Sequence, residues 1–352
     1  MKINSSQFQK LILAWFDLHG RKHFPWQQNK TPYRVWISEI MLQQTQVNTV
    51  IPYYETFMQH FPDLATLANA HEDEVLKLWA GLGYYSRARN LHRAAKMVQN
   101  NFAGKFPDNL MDLQTLPGIG RSTAGAILSL AFNQQAAILD GNVKRVLTRF
   151  HGITESIADK NIEKILWKHA ENFMPAKRAA DYTQAMMDLG ATICVRGTPD
   201  CKRCPLIKTC VAHNENIAHL LPIKKITRQL PVRTASMIIL QKENEVLLYK
   251  RAPTGIWGGL WSFPEMEGEP DQEKLSAFCK KTFRLNMIDH QYLASFRHTF
   301  SHYHLQIHPV IVPIKRLPLR VMEDNQQIWY NLLQPATVGV PKPVQLIMRK
   351  LR

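Results

Sequence analysis

The chain has 352 residues, more than one ordinary hydrophobic core accommodates, so two domains are expected. Apolar residues make up 45%, ordinary for a globular protein, and no run of about 18 apolar residues is present to cross a bilayer. Lysine and arginine number 44 against 28 aspartates and glutamates, and a net charge of +16 points to a polyanion partner, nucleic acid first. No apolar segment follows Met1-Lys2-Ile3-Asn4, so no signal peptide is expected and the expected compartment is the cytoplasm, where thiols stay reduced.

From residue 1 to about 215 the pattern is helix after helix. Thr31-Pro32 supplies a capping hydroxyl and a proline at the first helical position, and Val35, Trp36, Ile40 and Leu42 follow at helical spacing. Glu39 sits in this run, with Val35, Trp36, Leu42 and Gln43 three and four residues away. Burial among such partners raises a carboxyl pKa and lets it donate a proton near neutral pH. A paired core glutamate would have the same neighbours. Phe61-Pro62-Asp63 and Phe106-Pro107-Asp108 mark turns into further helices. In Leu116-Pro117-Gly118-Ile119-Gly120, two glycines flank one apolar residue between helical runs. Such a turn exposes backbone N–H groups beside a helix N-terminus, which suits a phosphate.

Ser122 to Phe132 reads as an Ala- and Leu-rich helix, and Asp140 to Phe150 as another, with Val143, Val146, Leu147 and Phe150 on one face. Asp140 is placed as an N-cap. Its functional reading is a carboxylate kept ionised by helix N–H groups, with Asn142 and Lys144 keeping the surroundings polar. A neutral Glu39 facing an anionic Asp140 is what cleavage of a glycosidic bond through an oxocarbenium ion needs. The sequence does not by itself bring the two together.

Four cysteines follow, Cys194, Cys201, Cys204 and Cys210, with six, two and five residues between them. Disulfides do not suit a reducing compartment. Zinc remains open, but its common layout is two short pairs separated by a long gap, and one compact loop fits a 4Fe–4S cluster better. Cys279 stands apart and is expected to be a buried free thiol. Over 216–233, Pro222, Pro231 and the basic pair Lys224-Lys225 read as a linker. Strand-like runs at Ala235–Gln241, Val246–Lys250 and Gln306–Ile314, with helical stretches near Glu273–Phe283 and Val344–Leu351, make a small α+β domain. His298, His304 and His308 lie close together there and read as a strand edge rather than a metal site.

Leu116–Gly120, Asp140 and the four-cysteine loop together resemble the helix–hairpin–helix DNA glycosylases of the endonuclease III superfamily. Ser38-Glu39-Ile40-Met41-Leu42-Gln43-Gln44-Thr45-Gln46, the run from Gly81 to Asn90, and Leu139-Asp140-Gly141-Asn142-Val143-Lys144-Arg145 narrow the resemblance to the MutY family of adenine DNA glycosylases, along essentially the whole chain. The resemblance implies a mainly α fold with an iron–sulfur cluster loop, plus a C-terminal α+β MutT-like (Nudix-like) domain. Its parts would be a helical catalytic region over 1–215 (a six-helix barrel module and a 4Fe–4S module), a linker over 216–233 and the MutT-like domain over 234–352.

The same resemblance implies excision of adenine mispaired with 8-oxoguanine, and less well with guanine, in double-stranded DNA, by a monomer that would be nucleoid-associated if the source is bacterial. Glu39 would protonate the leaving adenine, Asp140 would stabilise or capture the oxocarbenium ion, and Asn142 would order the site. Gln43 and Gln44 would reach into the opened duplex, and Tyr84 would wedge beside the oxidised base. Gly118, Gly120, Ser122 and Lys144 would face the DNA, and Phe300-Ser301-His302 would read the oxidised guanine. Cys194, Cys201, Cys204 and Cys210 would hold the cluster, and a monovalent cation is a further expected occupant of hairpin carbonyls near Gly118 and Gly120. Excision transfers no electrons, so the cluster is expected to be a staple that presents Lys202, Arg203 and Lys208 to phosphates.

Bifunctional members of the superfamily carry a lysine after the hairpin where this chain has Ser122, and a serine forms no Schiff base. A monofunctional glycosylase is therefore expected. Ser122 and the second domain argue against an endonuclease III-like glycosylase–lyase for oxidised pyrimidines. Glu39 and Asp140 argue against a non-catalytic DNA-binding protein. A nucleotide hydrolase is disfavoured because Glu265, Glu267 and Glu269 after Gly258-Gly259-Leu260-Trp261 give way to Lys274, Lys280 and Lys281, leaving no acidic cluster for magnesium.

Overall fold

A computed structural model describes residues 3–223, 229–286, 289–315, 326–334 and 338–352. It divides into two compact units, Met1–Asn69 with Asn90–Thr227, and Ala70–Arg89 with Arg228–Arg352.

Capping and packing together set the first unit. Its helices are α1 (Ser5–His19), α2 (Pro32–Leu42), α3 (Val47–His60) and α4 (Leu64–Asn69); beyond α5 (Glu72–Leu78) come α6 (Ser86–Asn101), α7 (Leu110–Thr115), α8 (Arg121–Phe132), α9 (Gly141–His151), α10 (Lys160–Phe173), α11 (Ala179–Thr192) and the short α12 (Val211–Asn214). α5 and the first residues of α6 belong to the second unit. Thr31 caps α2, accepting from Arg34 N at 3.2 Å, with Pro32 in the first turn as expected. Asp63 Oδ1 accepts from Thr66 N at 2.8 Å, whereas α7 is capped by Asn109 and not by Asp108. α11 packs on α1, α8 and α9, and α2 packs on α3 and α8. Phe8, Ile12, Trp36, Phe57, Ile127, Leu147 and Leu189 are fully buried in this unit. Each such side chain contributes roughly 1.5–3 kcal/mol by leaving water.

Part of the expected linker is packed rather than open. Ala218 and Leu221 are buried beside Ala212, and Arg149 Nε donates to the Leu221 carbonyl at 2.9 Å. Apolar residues at these two positions outweigh the neighbouring proline. The basic pair Lys224-Lys225 lies outside the described residues.

Among the described residues, the second unit is built on an eight-stranded mixed sheet of β1 (Val232–Lys242), β2 (Glu245–Lys250), β3 (Trp261–Ser262), β4 (Glu265–Glu267), β5 (Gln291–Tyr292), β6 (Phe296–Thr299), β7 (His304–Pro313) and β8 (Gln327–Asn331). The path is β3-β2-β1-β7-β5, with β4 on β1, β6 on β7 and β8 on β2. β1 and β7 run parallel from Val232↔His304 to Gln241↔Pro313. α13 (Gln272–Phe283) buries Leu275, Cys279 and Phe283 against Ile238, Leu240, Leu247, Val310 and Val312, and α14 (Lys342–Leu351) follows. Cys279 is the buried free thiol expected, and burial pushes its pKa up to about 11. The three long strand-like runs were legible as β1, β2 and β7. The strands β3 to β6 and β8, two to five residues each, are too short to carry a period-2 pattern. Glu273 is the single acidic residue on α13, so that helix offers no acidic cluster for magnesium. No helix among the described residues is long and apolar enough to cross a membrane.

Candidate active site

Helix α2 ends, and helix α9 begins, at one cavity of the first unit. The cavity measures about 350 Å³, and Glu39, Gln43, Ser122, Asp140 and Asn142 all line it. Residues remote in sequence are thus brought to one wall, including the two carboxyls that the sequence alone could not join.

Asp140 is the N-cap of α9. Its Oδ1 accepts from the N–H of Val143 at 2.8 Å and of Asn142 at 3.1 Å, and its Oδ2 accepts from Asn142 Nδ2 at 3.1 Å. Asn142 is fixed in turn, because its Oδ1 accepts from Arg145 Nη2 at 2.9 Å. Buried Arg145 also donates to the carbonyls of Gly190 and Cys194, both at 2.6 Å. Gly190 is required at its position by close approach: a Cβ there would come within 2.6 Å of Asn142 Cβ. Lys144 does not share this polar group. It is paired with Glu163 instead, one turn into α10.

Burial pushes Glu39 up to about 8, and the charge of Asp140 adds to the rise. Asp140 is also pushed up by burial, but the N–H groups of Val143 and Asn142, Arg145 and the Asn142 amide all pull it back. Three donors facing Asp140 favour the anion there, so Asp140 ionises first and Glu39 keeps its proton through neutral pH.

The turn Leu116–Gly120 joins α7 to α8. Gly118 is left-handed at φ +81°, where an L side chain is strained, and a Cβ at Gly120 would meet nothing within 4 Å. Backbone at Gly120 is therefore open to a large partner at the N-terminus of α8. Ser122 Oγ accepts from Leu139 N at 3.0 Å, which ties α8 to the segment before Asp140. Gln43 Nε2 donates to Thr123 Oγ1 at 3.4 Å, and exposed Gln44 is held at φ +58°, an uncommon conformation for a residue other than glycine.

Sequence reading missed Arg21, Phe24, Trp26 and Gln184, which line the same cavity. Arg21 lies just beyond α1, and Gln184 lies on α11, so nothing local linked them to Glu39. The available signal was the i, i+4 pair of Gln184 and Asp188, two polar side chains one turn apart on α11.

Cys194, Cys201, Cys204 and Cys210 converge on one apolar cavity with Val146, Leu189 and Ile193. Arg149 Nη1 lies 3.3 Å from Cys194 Sγ, and Lys202, Arg203 and Lys208 on the same loop are exposed. Burial raises the thiols of Cys201, Cys204 and Cys210, Cys204 to about 12, and the neighbouring sulfurs raise each further. No group of three His, Cys, Asp or Glu side chains among the described residues is gathered tightly enough for a single metal ion. Four thiols around one apolar cavity are the residues that could together hold a cationic metal centre.

In the second unit, a cavity of about 490 Å³ is lined by Tyr84, Phe300, Ser301 and His302, together with Trp257, His298 and Lys342. Tyr84 is 48% exposed at φ +48°, so it is not a core aromatic. Phe300 N donates to the Tyr303 carbonyl at 2.9 Å, closing the turn that presents Ser301 and His302 between β6 and β7. Trp257 and His298 form an aromatic wall with Phe300, their ring centroids 5.2 and 4.7 Å from it. Burial, with the Lys342 charge, holds His298 below its usual pKa. An aromatic slot with hydroxyl and imidazole groups can take a flat heterocycle.

Residues 37–172 match the HhH-GPD superfamily base excision DNA repair protein family, and residues 235–350 match the NUDIX domain. The adenine DNA glycosylase of Buchnera aphidicola subsp. Acyrthosiphon pisum (strain APS) is 43% identical over 345 residues, 98% of this chain and 97% of that protein. The adenine DNA glycosylase of Homo sapiens is 34% identical over 354 residues, 84% of this chain and 65% of that one. Among solved structures, a thermostable thymine-DNA glycosylase shares 30% identity at a TM-score of 0.55, covering 60% of this chain and 97% of its own. A trapped endonuclease III–DNA covalent intermediate, 21% identical, aligns at a TM-score of 0.52 over 61% of this chain and all of its own, a likeness of fold alone.

Proposed function

The chain belongs to the adenine DNA glycosylases of the HhH-GPD superfamily, and from that membership we propose that it removes adenine mispaired with 8-oxoguanine, or less well guanine, by acid-assisted departure of the flipped-out base. The observation that carries this reading is the pair of carboxyls on one cavity, with Glu39 raised to about 8 and Asp140 facing donors that oppose the rise its burial causes. A base inside a duplex must be extruded before such a cavity can receive it. Glu39 then gives its proton to a ring nitrogen of adenine as the N-glycosyl bond breaks, so the bonding electrons leave on a neutral base. Asp140 faces the resulting oxocarbenium ion and stabilises or captures it until water adds. Asn142 holds Asp140 in place.

Ser122 on the cavity wall offers no amine, so the product is an abasic site with an intact strand. Gln43, Gln44, Gly118, Gly120 and Lys144 are proposed to face the DNA in the first unit. Tyr84, Phe300, Ser301 and His302 are proposed to receive the oxidised guanine in the second. A hydroxyl and an imidazole suit 8-oxoguanine, which differs from guanine by one carbonyl and one ring N–H.

Cys194, Cys201, Cys204 and Cys210 are proposed to hold a 4Fe–4S cluster, which when bound supplies a cationic core that neutralises four thiolates and folds the loop. Cys204→Ala is accordingly expected to lose the visible iron–sulfur absorption and to weaken duplex binding at least about tenfold. The salt dependence of binding should also become shallower, since Lys202, Arg203 and Lys208 lose their placement. Salt titrations of affinity by fluorescence anisotropy measure this.

End-labelled duplexes test the function. One carries adenine opposite 8-oxoguanine, one adenine opposite thymine, and one thymine glycol opposite adenine, each read with and without hot alkali. Alkali-dependent cleavage at adenine opposite 8-oxoguanine alone is expected. Cleavage at thymine glycol without alkali would overturn the reading.

A further inference from the structure

Consecutive cations at the end of β2 hold opposite walls of the slot in the second unit. Lys250 holds the first wall. Its Nζ lies 3.1 Å from each carboxylate oxygen of buried Asp73 in α5, a residue 177 positions away in sequence. The pair seats α5 on the sheet, and the turn that follows α5 is tied back to it. Trp79 Nε1 donates to the Gly83 carbonyl at 3.2 Å, and Arg87 Nη2 donates to the Leu82 and Gly83 carbonyls at 3.2 and 3.1 Å. This turn carries Tyr84 to the slot. Arg251 holds the second wall. Its Nε donates to the Ile256 carbonyl at 3.0 Å, and its guanidinium pairs with Glu265 and lies 5.6 Å from the Trp257 ring, which packs on Phe300.

We propose that Asp73 and Lys250 are positioning residues for selection of the partner base. Their ion pair sets the gap between Tyr84 and the Phe300-Ser301-His302 turn, and thereby how strongly 8-oxoguanine is preferred to guanine. The inference rests on the reading that this slot receives the oxidised base. A buried ion pair adds little net stability, because the cost of taking two charges out of water offsets their attraction. An apolar pair of the same size would hold α5 on β2 as firmly, but it could slide. The ion pair fixes one register, since the Lys250 ammonium donates only where the carboxylate stands. The surrounding contact leaves no slack. A Cβ at Gly259 would stand 3.3 Å from Glu72 Oε1, and one at Gly339 would stand 3.0 Å from Leu76 Cβ. The register of α5 on the sheet is therefore carried to Tyr84. Guanine and its 8-oxo form differ at one carbonyl and one ring N–H. The choice between them depends on hydrogen bonds from Ser301 and His302, which lose their geometry when the opposite wall shifts.

The test is single-turnover excision of adenine opposite 8-oxoguanine and opposite guanine, in the full-length protein. It is run for wild type, Lys250→Met, Asp73→Asn and the reversed pair, Asp73→Lys with Lys250→Asp. Each single change is expected to lower the 8-oxoguanine-to-guanine rate ratio at least about fivefold, with the rate opposite guanine kept within about twofold. The same change is expected to leave the ratio unmoved when Ser301 is already alanine. A wild-type ratio in Lys250→Met, equal slowing opposite both partners, or the same fall in the Ser301→Ala background would overturn the proposal. Should neither single variant fold, the reversed pair decides, because it keeps both charges compensated. It is expected to fold and to restore the wild-type ratio, and a reversed pair that stays unfolded or has lost the ratio overturns the proposal. Wild-type protein that removes adenine equally well opposite both partners would remove the reading of the slot itself. Wild-type discrimination that persists in the variants would remove only the role of the ion pair.

Discussion

Glu39→Gln is expected to slow single-turnover adenine excision by about 10²–10⁴-fold, the range that a positioned general acid contributes, while duplex affinity stays within about twofold. Glutamine keeps the shape and the polar end of the side chain but has no acidic proton. The loss therefore falls on the bond-breaking step and not on binding. A stability change should accompany it. Glu39 is raised from the ordinary 4.5 to about 8. The folded state then binds a proton that the unfolded chain releases above its own pKa. Stability falls as pH rises from about 4.5 to about 8 and levels beyond that. At neutral pH this burial costs on the order of 2–3 kcal/mol. Glu39→Gln removes the linkage, so its Tm should exceed that of wild type by several degrees near pH 7, and by less near pH 5. Full activity in this variant would remove the glutamate from the chemistry.

Asp140→Asn is the second large expected loss, about 10³-fold or more in the same assay, with the fold intact. Asparagine serves as well as aspartate at an N-cap, so α9 keeps its first turn. The substitution removes a negative charge from a buried wall where a positive sugar develops, and electrostatic effects are strongest where water is excluded. The Asn142 amide, which now donates to Asp140 Oδ2, remains tied to Arg145. An Asp140→Asn protein that keeps wild-type rates, with α9 intact by circular dichroism, would make the carboxylate a helix cap and nothing more. Retained binding of duplex DNA would show that the loss is chemical.

The candidate site was legible in sequence where its parts are local. Glu39 stood out as a carboxyl amid apolar helical neighbours, and Asp140 as a cap on an amphipathic helix. Both judgements use residues within four positions. The hairpin glycines and the cysteine loop were legible because each lies within one short run of sequence. The cavity's other wall was not. Arg21 and Asp188 are joined by a salt bridge across 167 positions, and no periodicity encodes such a pair. Lys144 lies two residues from Asn142, yet it turns to Glu163, because successive helical positions point to different faces. Burial of Ala218 and Leu221 in the 216–233 segment depends on Ala212 of α12 being beside them, a contact that its prolines do not encode. In the second unit, long strands declared themselves, while short ones are held by cross-strand pairing that only the fold supplies.

The most direct test of the carboxyl pair is the pH dependence of single-turnover excision of adenine opposite 8-oxoguanine, from about pH 5 to about pH 10. A bell is expected. Its basic limb should fall about tenfold per pH unit beyond pH 8, as Glu39 loses its proton. Its acid limb should lie above the ordinary carboxylate range, as Asp140 gains one. The basic limb should be absent from the residual activity of Glu39→Gln. A wild-type rate that stays level across the basic range, or a basic limb that persists unchanged in Glu39→Gln, would contradict a protonated Glu39 as the group that releases adenine.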